Sequence, residues 1–266
     1  MGKNTSICAV IGYPIGHSIS PAIHNAAFRK TRMNFHYKAI EIKDPKRAID
    51  EMLENNYRGY SVTIPHKVTI TKYLDELDPL AKKIGAINTV INTNRHLKGY
   101  NTDVTGAMQA IKDVMNIEGK KVVLIGAGGA ARAIGFGLKE FGTDILIQNR
   151  TFKNAESLAK TLNCQYSKLD PSLIKNCDLI INTTPVGMYP DINKSVIEEI
   201  PENCTIMDIV YNPIETKLLK LAKARSCKII DGLGMFVYQA AEQFRLFTGK
   251  EAPLELMRKV AKERLS

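Results

Sequence analysis

Two groups of residues in this 266-residue sequence could do chemistry, and they lie in different halves of the chain. In the first half, small polar and charged side chains recur where strands end and helices begin. Ser18 and Ser20 stand in GYPIGHSISPAIHN, and Ser61, Thr63 and Lys67 in SVTIPHK. Asn88 stands in GAINTV, and Asn101, Thr102 and Asp103 in GYNTDVTG. Alternate residues of an extended segment face the same way, so the hydroxyls of Ser18 and Ser20 can reach one ligand. A ligand carboxylate placed there also gains from the free N–H groups of the helix that follows. A Lys, an Asp and several hydroxyl and amide groups together suit a polyhydroxylated acid, since each ligand hydroxyl needs a partner when buried. On the plainer reading Ser20 is a helix N-cap, Ser18 a loop residue, Lys67 a solvated lysine at a helix start and Asp103 an N-cap before VTGAMQAI.

The second group is GAGGAA at 126–131, between the apolar run KVVLIG and a helical pattern. That context is what a dinucleotide-binding turn requires. Gly126 permits the tight turn and Gly128 lets backbone approach a pyrophosphate. Ala131 allows close helix–strand packing, and the helix N-terminus offers N–H groups to the phosphates. At the end of the next strand, NAD binding would call for an Asp or Glu. The sequence there reads Gln148, Asn149, Arg150, Thr151. Arg150 can clamp a ribose phosphate through its planar fork, with Asn149 and Thr151 adding neutral hydrogen bonds, so NADP is the expected cofactor.

The elements that must position these groups alternate between strand and helix. In the first half the pattern predicts strands at 7–14, 35–42, 60–65 and 87–93. It predicts helices at 20–32, 45–55 and about 67–84, the first with Ser20 as N-cap and Pro21 at its first position. In the second half it predicts helices near 103–115, after 126 and at 152–162, with strands up to 125 and at 144–150, 177–185, 204–211 and 227–234. KVVLIG is continuously apolar, as a strand buried on both faces should be. Such alternation implies parallel βαβ units. The expected fold is α/β in two domains: an N-terminal α/β substrate domain at 1–104 and a Rossmann-type, doubly wound parallel-sheet cofactor domain at 105–237. The helical residues from about 238 to 266 are expected to pack back on the first.

Composition sets wider limits. Hydrophobic residues make up 44% and charged residues 24%, an ordinary globular mix. No apolar run is long enough to span a bilayer. Met1 and Gly2 with Ser6 formally fit an N-myristoylation pattern, but an apolar run begins at Ile7 and leaves no tether, so lipidation is not expected. The five cysteines (Cys8, Cys164, Cys177, Cys204, Cys227) show neither disulfide nor zinc spacing, and read as free thiols of a cytoplasmic protein. His17 and His24 are seven apart with no third ligand at metal spacing, so no metal is expected. The net charge of +10 is spread along the chain rather than clustered, which favours small anions over nucleic acid. No heptad or apolar stripe fixes an oligomeric state; a monomer or homodimer is expected, without nucleic-acid or membrane partners.

Taken in order, GYPIGHSISPAIHN, SVTIPHK, GAINTV, GYNTDVTG, GAGGAA with NRT, and DGLGMFVYQAAEQF resemble the successive signatures of the shikimate dehydrogenase family, from residue 12 to residue 244. The resemblance implies a two-domain enzyme that reduces 3-dehydroshikimate to shikimate with NADPH. By motif position, Ser18 and Ser20 would hold the substrate carboxylate, with Tyr211 nearby. Thr63, Asn88, Asp103 and Gln239 would bind the ring hydroxyls, and Lys67 and Asp103 would form the catalytic pair. Gly126, Ala127, Gly128, Gly129 and Ala130 would cradle the pyrophosphate. Asn149, Arg150, Thr151, Phe152, Lys153 and Asn154 would take the adenosine ribose phosphate, and Ile209 and Gly232 would line the nicotinamide. The chain departs from the family pattern at Ser61, where Asn is common, at His66, where Phe is frequent, and at Ile209, where Met is frequent. Three other readings compete: a broader quinate/shikimate dehydrogenase, a non-catalytic NADP-sensing protein on the same scaffold, and a folate-linked dehydrogenase.

Overall fold

The protein is described here by a computed structural model covering residues 5–265. Gly2, on which lipidation would turn, lies outside the described residues. The chain divides into two compact units: residues up to Thr102 with Gln239–Arg264, and Asp103–Tyr238.

The first unit runs β1 (Ser6–Gly12), α1 (Ser20–Lys30), β2 (Phe35–Glu41), α2 (Pro45–Glu54), β3 (Gly59–Val62), β4 (Glu76–Leu77), α3 (Pro79–Ile84), β5 (Thr89–Thr93) and β6 (His96–Tyr100). Its sheet has the order β2-β1-β3-β5-β6-β4. β1 pairs in parallel with β2 and β3, whereas β5 pairs antiparallel with β3 and β6. The β5–β6 hairpin was not expected from the strand–helix pattern. It turns on Asn94 and Arg95 at φ 50° and 71°, a pair of positive-φ residues of the kind that fits the twist of a two-residue hairpin. α2 is set by Asp44, whose side chain accepts the Lys46 N–H at 2.9 Å, and it turns Ala48, Ile49 and Met52 into the core.

Two local expectations are corrected in this unit. Residues 67–84 do not form one helix. A 3₁₀ turn (Thr69–Tyr73) gives way to β4 before α3 begins. Asp75 accepts the Leu97 N–H at 2.7 Å and the Asp78 N–H bonds Gly99 O at 2.8 Å, drawing the chain onto the sheet edge. Asp78 then caps α3, with Pro79 opening it. Ser20 is not the N-cap of α1: Ile19 precedes it in helical conformation, and Ser20 is the first helical residue.

The second unit runs α4 (Asp103–Lys112), β7 (Lys121–Ile125), α5 (Gly129–Lys139), β8 (Asp144–Gln148), α6 (Phe152–Leu162), β9 (Gln165–Ser167), β10 (Leu179–Asn182), β11 (Thr205–Asp208), α7 (Lys217–Ala224) and β12 (Ile229–Ile230), followed by the start of α8 (Gly232–Thr248). All its strand pairs are parallel, in the order β12-β11-β10-β7-β8-β9. This is the doubly wound arrangement, in which the order reverses between β7 and β10 and a ligand crevice opens beyond their carboxyl ends. The strands expected at 177–185, 204–211 and 227–234 are each shorter, the last reduced to Ile229–Ile230 because α8 starts at Gly232.

From Gln239 onward α8, with α9 (Leu254–Leu265), returns to the first unit. There Phe244 and Phe247 are buried beside Phe28, His24 and Tyr37, with His24 stacked on Tyr37 at 4.3 Å.

Candidate active site

In the first unit the chemistry-bearing residues gather at the edge formed by strand ends, where the inner strands β1 and β3 end and antiparallel β5 begins. Main-chain bonds hold that edge: Thr63 N donates to Ile11 O at 3.0 Å, Tyr13 N to Ile64 O at 3.0 Å and Val62 N to Asn88 O at 2.7 Å. The Lys67 carbonyl accepts Ile87 N–H at 2.8 Å, which ties the Lys67 turn to the turn carrying Asn88. Gly12 is required by this crowding, since a Cβ there would stand 2.5 Å from the Thr63 methyl. Lys67 and Thr63 are half-buried. Ser18 opens the approach to α1, with its Oγ accepting the Ser20 N–H at 3.3 Å.

Beneath this edge lies a buried polar network centred on Asn88. Its Oδ1 accepts from Thr102 N at 2.8 Å and from the Thr89 hydroxyl at 2.9 Å. Its Nδ2 donates to Thr102 Oγ1 at 2.9 Å and lies 3.4 Å from Gln239 Oε1. Tyr37 donates to Ser61 Oγ at 2.6 Å, and Ser61 in turn donates to Gln243 Oε1 at 2.7 Å. Gln243 Nε2 closes the chain on Asn88 O and Thr89 Oγ1 at 3.2 and 3.1 Å. Ser61 therefore spends its hydroxyl inward, which answers what a shorter residue does in the usual place of Asn. His66 is buried, its Nε2 2.6 Å from Ile42 O. Gln243 and Tyr37 were missed in the sequence; the one available signal was a polar residue at a buried position of the AAEQF helix.

In the second unit the turn after β7 has the form a dinucleotide needs. Gly126 adopts φ +116°, and a Cβ there would collide with the Thr183 hydroxyl, so only glycine fits. Its N–H bonds Gln148 O at 2.8 Å. Gly128 is different: its backbone is ordinary and a Cβ would meet nothing within 4 Å. The open space over Gly128, at the N-cap of α5, is where a phosphate can approach the helix N-terminus. Ala127, Gly129 and Ala130 complete this turn.

Beyond β8, Asn149 is tied back through Nδ2 to Thr151 O at 3.0 Å. Arg150, Thr151, Lys153 and Asn154 are exposed, and Phe152 leans on Tyr166 at 5.3 Å. Thr151 is the N-cap of α6. Two cations and the N-terminus of a helix thus face solvent without an acid among residues 149–154. At the other rim, Ile209 N bonds Asn182 O at 3.1 Å. Gly232 packs so tightly on the Ile209 and Val210 carbonyls that any Cβ would overlap them. Tyr211 lies on Phe236 at 4.5 Å, and burial raises its phenol pKa. Asp103 is buried at the start of α4, where the helix dipole favours a carboxylate. Below the rim, Asp208 accepts from Thr216, Asn182 and Val210 N, yet burial still lifts its carboxyl to about 6. Thr183 and Thr184, at the point where strand order reverses, were also missed. NTTP directly after an apolar strand was the signal for them.

Residues 10–90 match the family described as shikimate dehydrogenase substrate binding domain, and 108–233 the family described as shikimate / quinate 5-dehydrogenase. Residues 232–262 match the shikimate 5'-dehydrogenase C-terminal domain. A relative from Methanocaldococcus jannaschii, named shikimate dehydrogenase (NADP(+)), is 42% identical over 97% of this chain and 96% of its own. A solved structure of shikimate dehydrogenase in complex with NADP+ aligns with a TM-score of 0.93 at 40% identity, covering 98% of this chain and 96% of that one. The shikimate 5-dehydrogenase of Thermus thermophilus, in complex with NADP(H) and shikimate, aligns with a TM-score of 0.90 at 34% identity, over 98% of this chain and 100% of its own.

Proposed function

The chain belongs to the shikimate dehydrogenase family, and on that premise we propose how its own residues interconvert 3-dehydroshikimate and shikimate. It is an NADP-dependent oxidoreductase acting on a CH–OH group. The observation that carries the residue assignment is the polar edge of the first unit. There Thr63, Lys67, Asn88 and Gln239 are held by short main-chain and amide bonds around the two strand ends. Such an edge offers a small hydroxylated acid several fixed partners, and the serines before α1 take its carboxylate.

The second unit fits the cofactor on its own geometry, through the open space over Gly128 and the acid-free Arg150 turn. Residues 126–130 hold the pyrophosphate, residues 149–154 the 2′-phosphate end, and Ile209 and Gly232 the nicotinamide. When bound, NADPH supplies the hydride for the ketone carbon. Lys67, as the ammonium, hydrogen-bonds the ketone oxygen and gives it a proton as negative charge develops there; in reverse it removes that proton. Asp103, the other member of the assigned catalytic pair, takes a ring hydroxyl. Thr63, Asn88 and Gln239 fix the ring so that one carbon is presented, which lowers the entropic part of the barrier. Tyr211 borders the carboxylate. The partner is a small molecule, met in the cytoplasm by a monomer or homodimer.

The test follows NADPH by absorbance, as oxidation with 3-dehydroshikimate and, in the reverse direction, as reduction of NADP+ or NAD+ by shikimate or quinate. Saturable turnover with 3-dehydroshikimate and NADPH supports the reading. NADPH binding without turnover would point to a sensor, and equal rates with quinate to the broader enzyme.

A further inference from the structure

The five cysteines are far apart in sequence, but the fold brings two of them together. Cys177 precedes β10 and Cys204 precedes β11. Those strands pair in parallel with Leu179 opposite Thr205, so both thiols arrive at the same end of the sheet, Sγ to Sγ 3.4 Å apart. Both are reduced in this structure. They differ in access: Cys177 is half-buried, whereas Cys204 is 2% exposed. Cys227 turns its thiol instead toward the Pro201 and Arg225 carbonyls.

We propose that Cys177 and Cys204 form a reversible thiol–disulfide pair, in which Cys177 takes the oxidant and Cys204 resolves it. The geometry needs only that the sulfurs close from 3.4 Å to the covalent length of about 2.05 Å, a movement within reach of side-chain rotation. The oxidant is a hydroperoxide. The Cys177 sulfur attacks one peroxide oxygen and the O–O bond breaks. This leaves a sulfenic acid, and the departing oxygen takes the thiol proton to leave as water (from hydrogen peroxide). The Cys204 sulfur then attacks the Cys177 sulfur, the S–O bond breaks, and a second water leaves with the Cys204 proton. Two thiols lose two electrons and one peroxide gains them; a dithiol reductant reverses the change. Contact with the Cys204 thiol favours the Cys177 thiolate, while the same contact, followed by burial, keeps Cys204 protonated until it is needed.

The placement also decides the consequence. The pair sits at the amino ends of β10 and β11, and the dinucleotide crevice lies beyond the carboxyl ends of the same sheet. The bond is therefore a staple joining residues 27 apart, and turnover is retained when it forms.

The full-length protein, treated with equimolar hydrogen peroxide, quenched in acid and alkylated, tests this by mass mapping. The expected result is loss of two alkylatable thiols of five, a bridged peptide containing Cys177 and Cys204, and full reversal by dithiothreitol. The oxidised protein keeps kcat within about twofold, and its half-life at an inactivating temperature lengthens by roughly tenfold. Five alkylated thiols, a bridge through Cys227, or Cys177 driven to sulfinic acid while Cys204 stays alkylatable would each overturn the proposal. Loss of turnover on bridging would overturn the assignment as a staple. Cys204→Ala should leave Cys177 as a sulfenic acid trapped by dimedone, and Cys177→Ala should leave Cys204 a thiol. If neither variant folds, the mapping of the unaltered protein still decides.

Discussion

The substrate edge of the first unit and the phosphate turn of the second are made of different material. The first is held by side chains: Asn88 alone spends both amide ends on Thr102, Thr89 and Gln239, and Ser61, Tyr37 and Gln243 continue the chain below it. The second is held by backbone, with Gly126 at φ +116° and Gly128 open above a helix N-terminus. A polyhydroxylated acid is told from its relatives by where its hydroxyls point, and only fixed side-chain partners read that. A pyrophosphate is recognised by charge and by N–H groups, which any sequence with the right turn supplies. Substitutions should therefore fail in different ways in the two places.

The largest effect tests Lys67, the residue proposed to exchange a proton with the ketone oxygen. Lys67→Ala should lower kcat by about 10²–10⁴-fold. The KM for 3-dehydroshikimate should change little, and the Lys67 carbonyl keeps its bond to the Ile87 N–H in the variant. A kcat within a few-fold of the unaltered enzyme would remove Lys67 from the acid–base role.

Next comes the network itself. Asn88→Ala strands the Thr102 N–H and the Thr89 hydroxyl in a buried site. Unpaired buried groups cost about 1–3 kcal/mol each, so Tm should fall by roughly 5–10 °C alongside turnover. If activity fell with Tm untouched, the network would be a substrate contact and not a scaffold.

The backbone site should show the reverse. Gly128→Ala should leave Tm unchanged, because a Cβ there meets nothing, yet raise the KM for NADPH by about tenfold as it crowds the phosphates. Gly126→Ala, strained at φ +116° and against Thr183, should instead destabilise the fold. Arg150→Ala should raise the KM for NADPH roughly 10–100-fold and leave that for NADH unchanged, matching one charge-assisted hydrogen bond. Equal losses with both cofactors would place Arg150 elsewhere.

The same contrast explains what could be read in advance. The backbone site was open to inspection because glycines in a strand–turn–helix leave a local pattern, and the parallel sheet followed from continuous apolar runs such as KVVLIG. The side-chain network was not, since Ser61 and Gln243 lie 182 apart and nothing local to either says they meet. The helix expected over 67–84 failed for a related reason. Its periodicity is helical, but Asp75 and Asp78 find partners on β6, which no window of sequence around them contains. The meeting of Cys177 with Cys204 depends likewise on β10 and β11 pairing in register.

The smallest effect at neutral pH is the most specific to the two units, because in each of them burial shifts the pKa of one group, a potential cation in the first and a potential anion in the second. In the first, His24 is fully buried and stacked on Tyr37, and burial, outweighing the opposing effect of Gln243, pushes its pKa down to about 3 from 6.5. The unfolded chain takes up that proton at 6.5 and the folded one does not, so this group's stability is lost as pH falls from 6.5 toward 3. In the second, Asp208 is raised to about 6 from 3.8, chiefly by burial. The folded state keeps its proton where the unfolded chain has released it, so this group's stability falls as pH rises from 3.8 to 6. Between those limits the two slopes oppose, each about 1.4 kcal/mol per pH unit. His24→Phe, which preserves ring volume, should stay within about 1 kcal/mol of the unaltered protein at pH 8. Relative to it, the variant should gain stability as pH drops from 6 to 4. Asp208→Asn should lose stability over the same interval. Tm measured across pH 4–8 for the three proteins separates them, and parallel curves for His24→Phe and the unaltered chain would mean that His24 takes up a proton in the folded state.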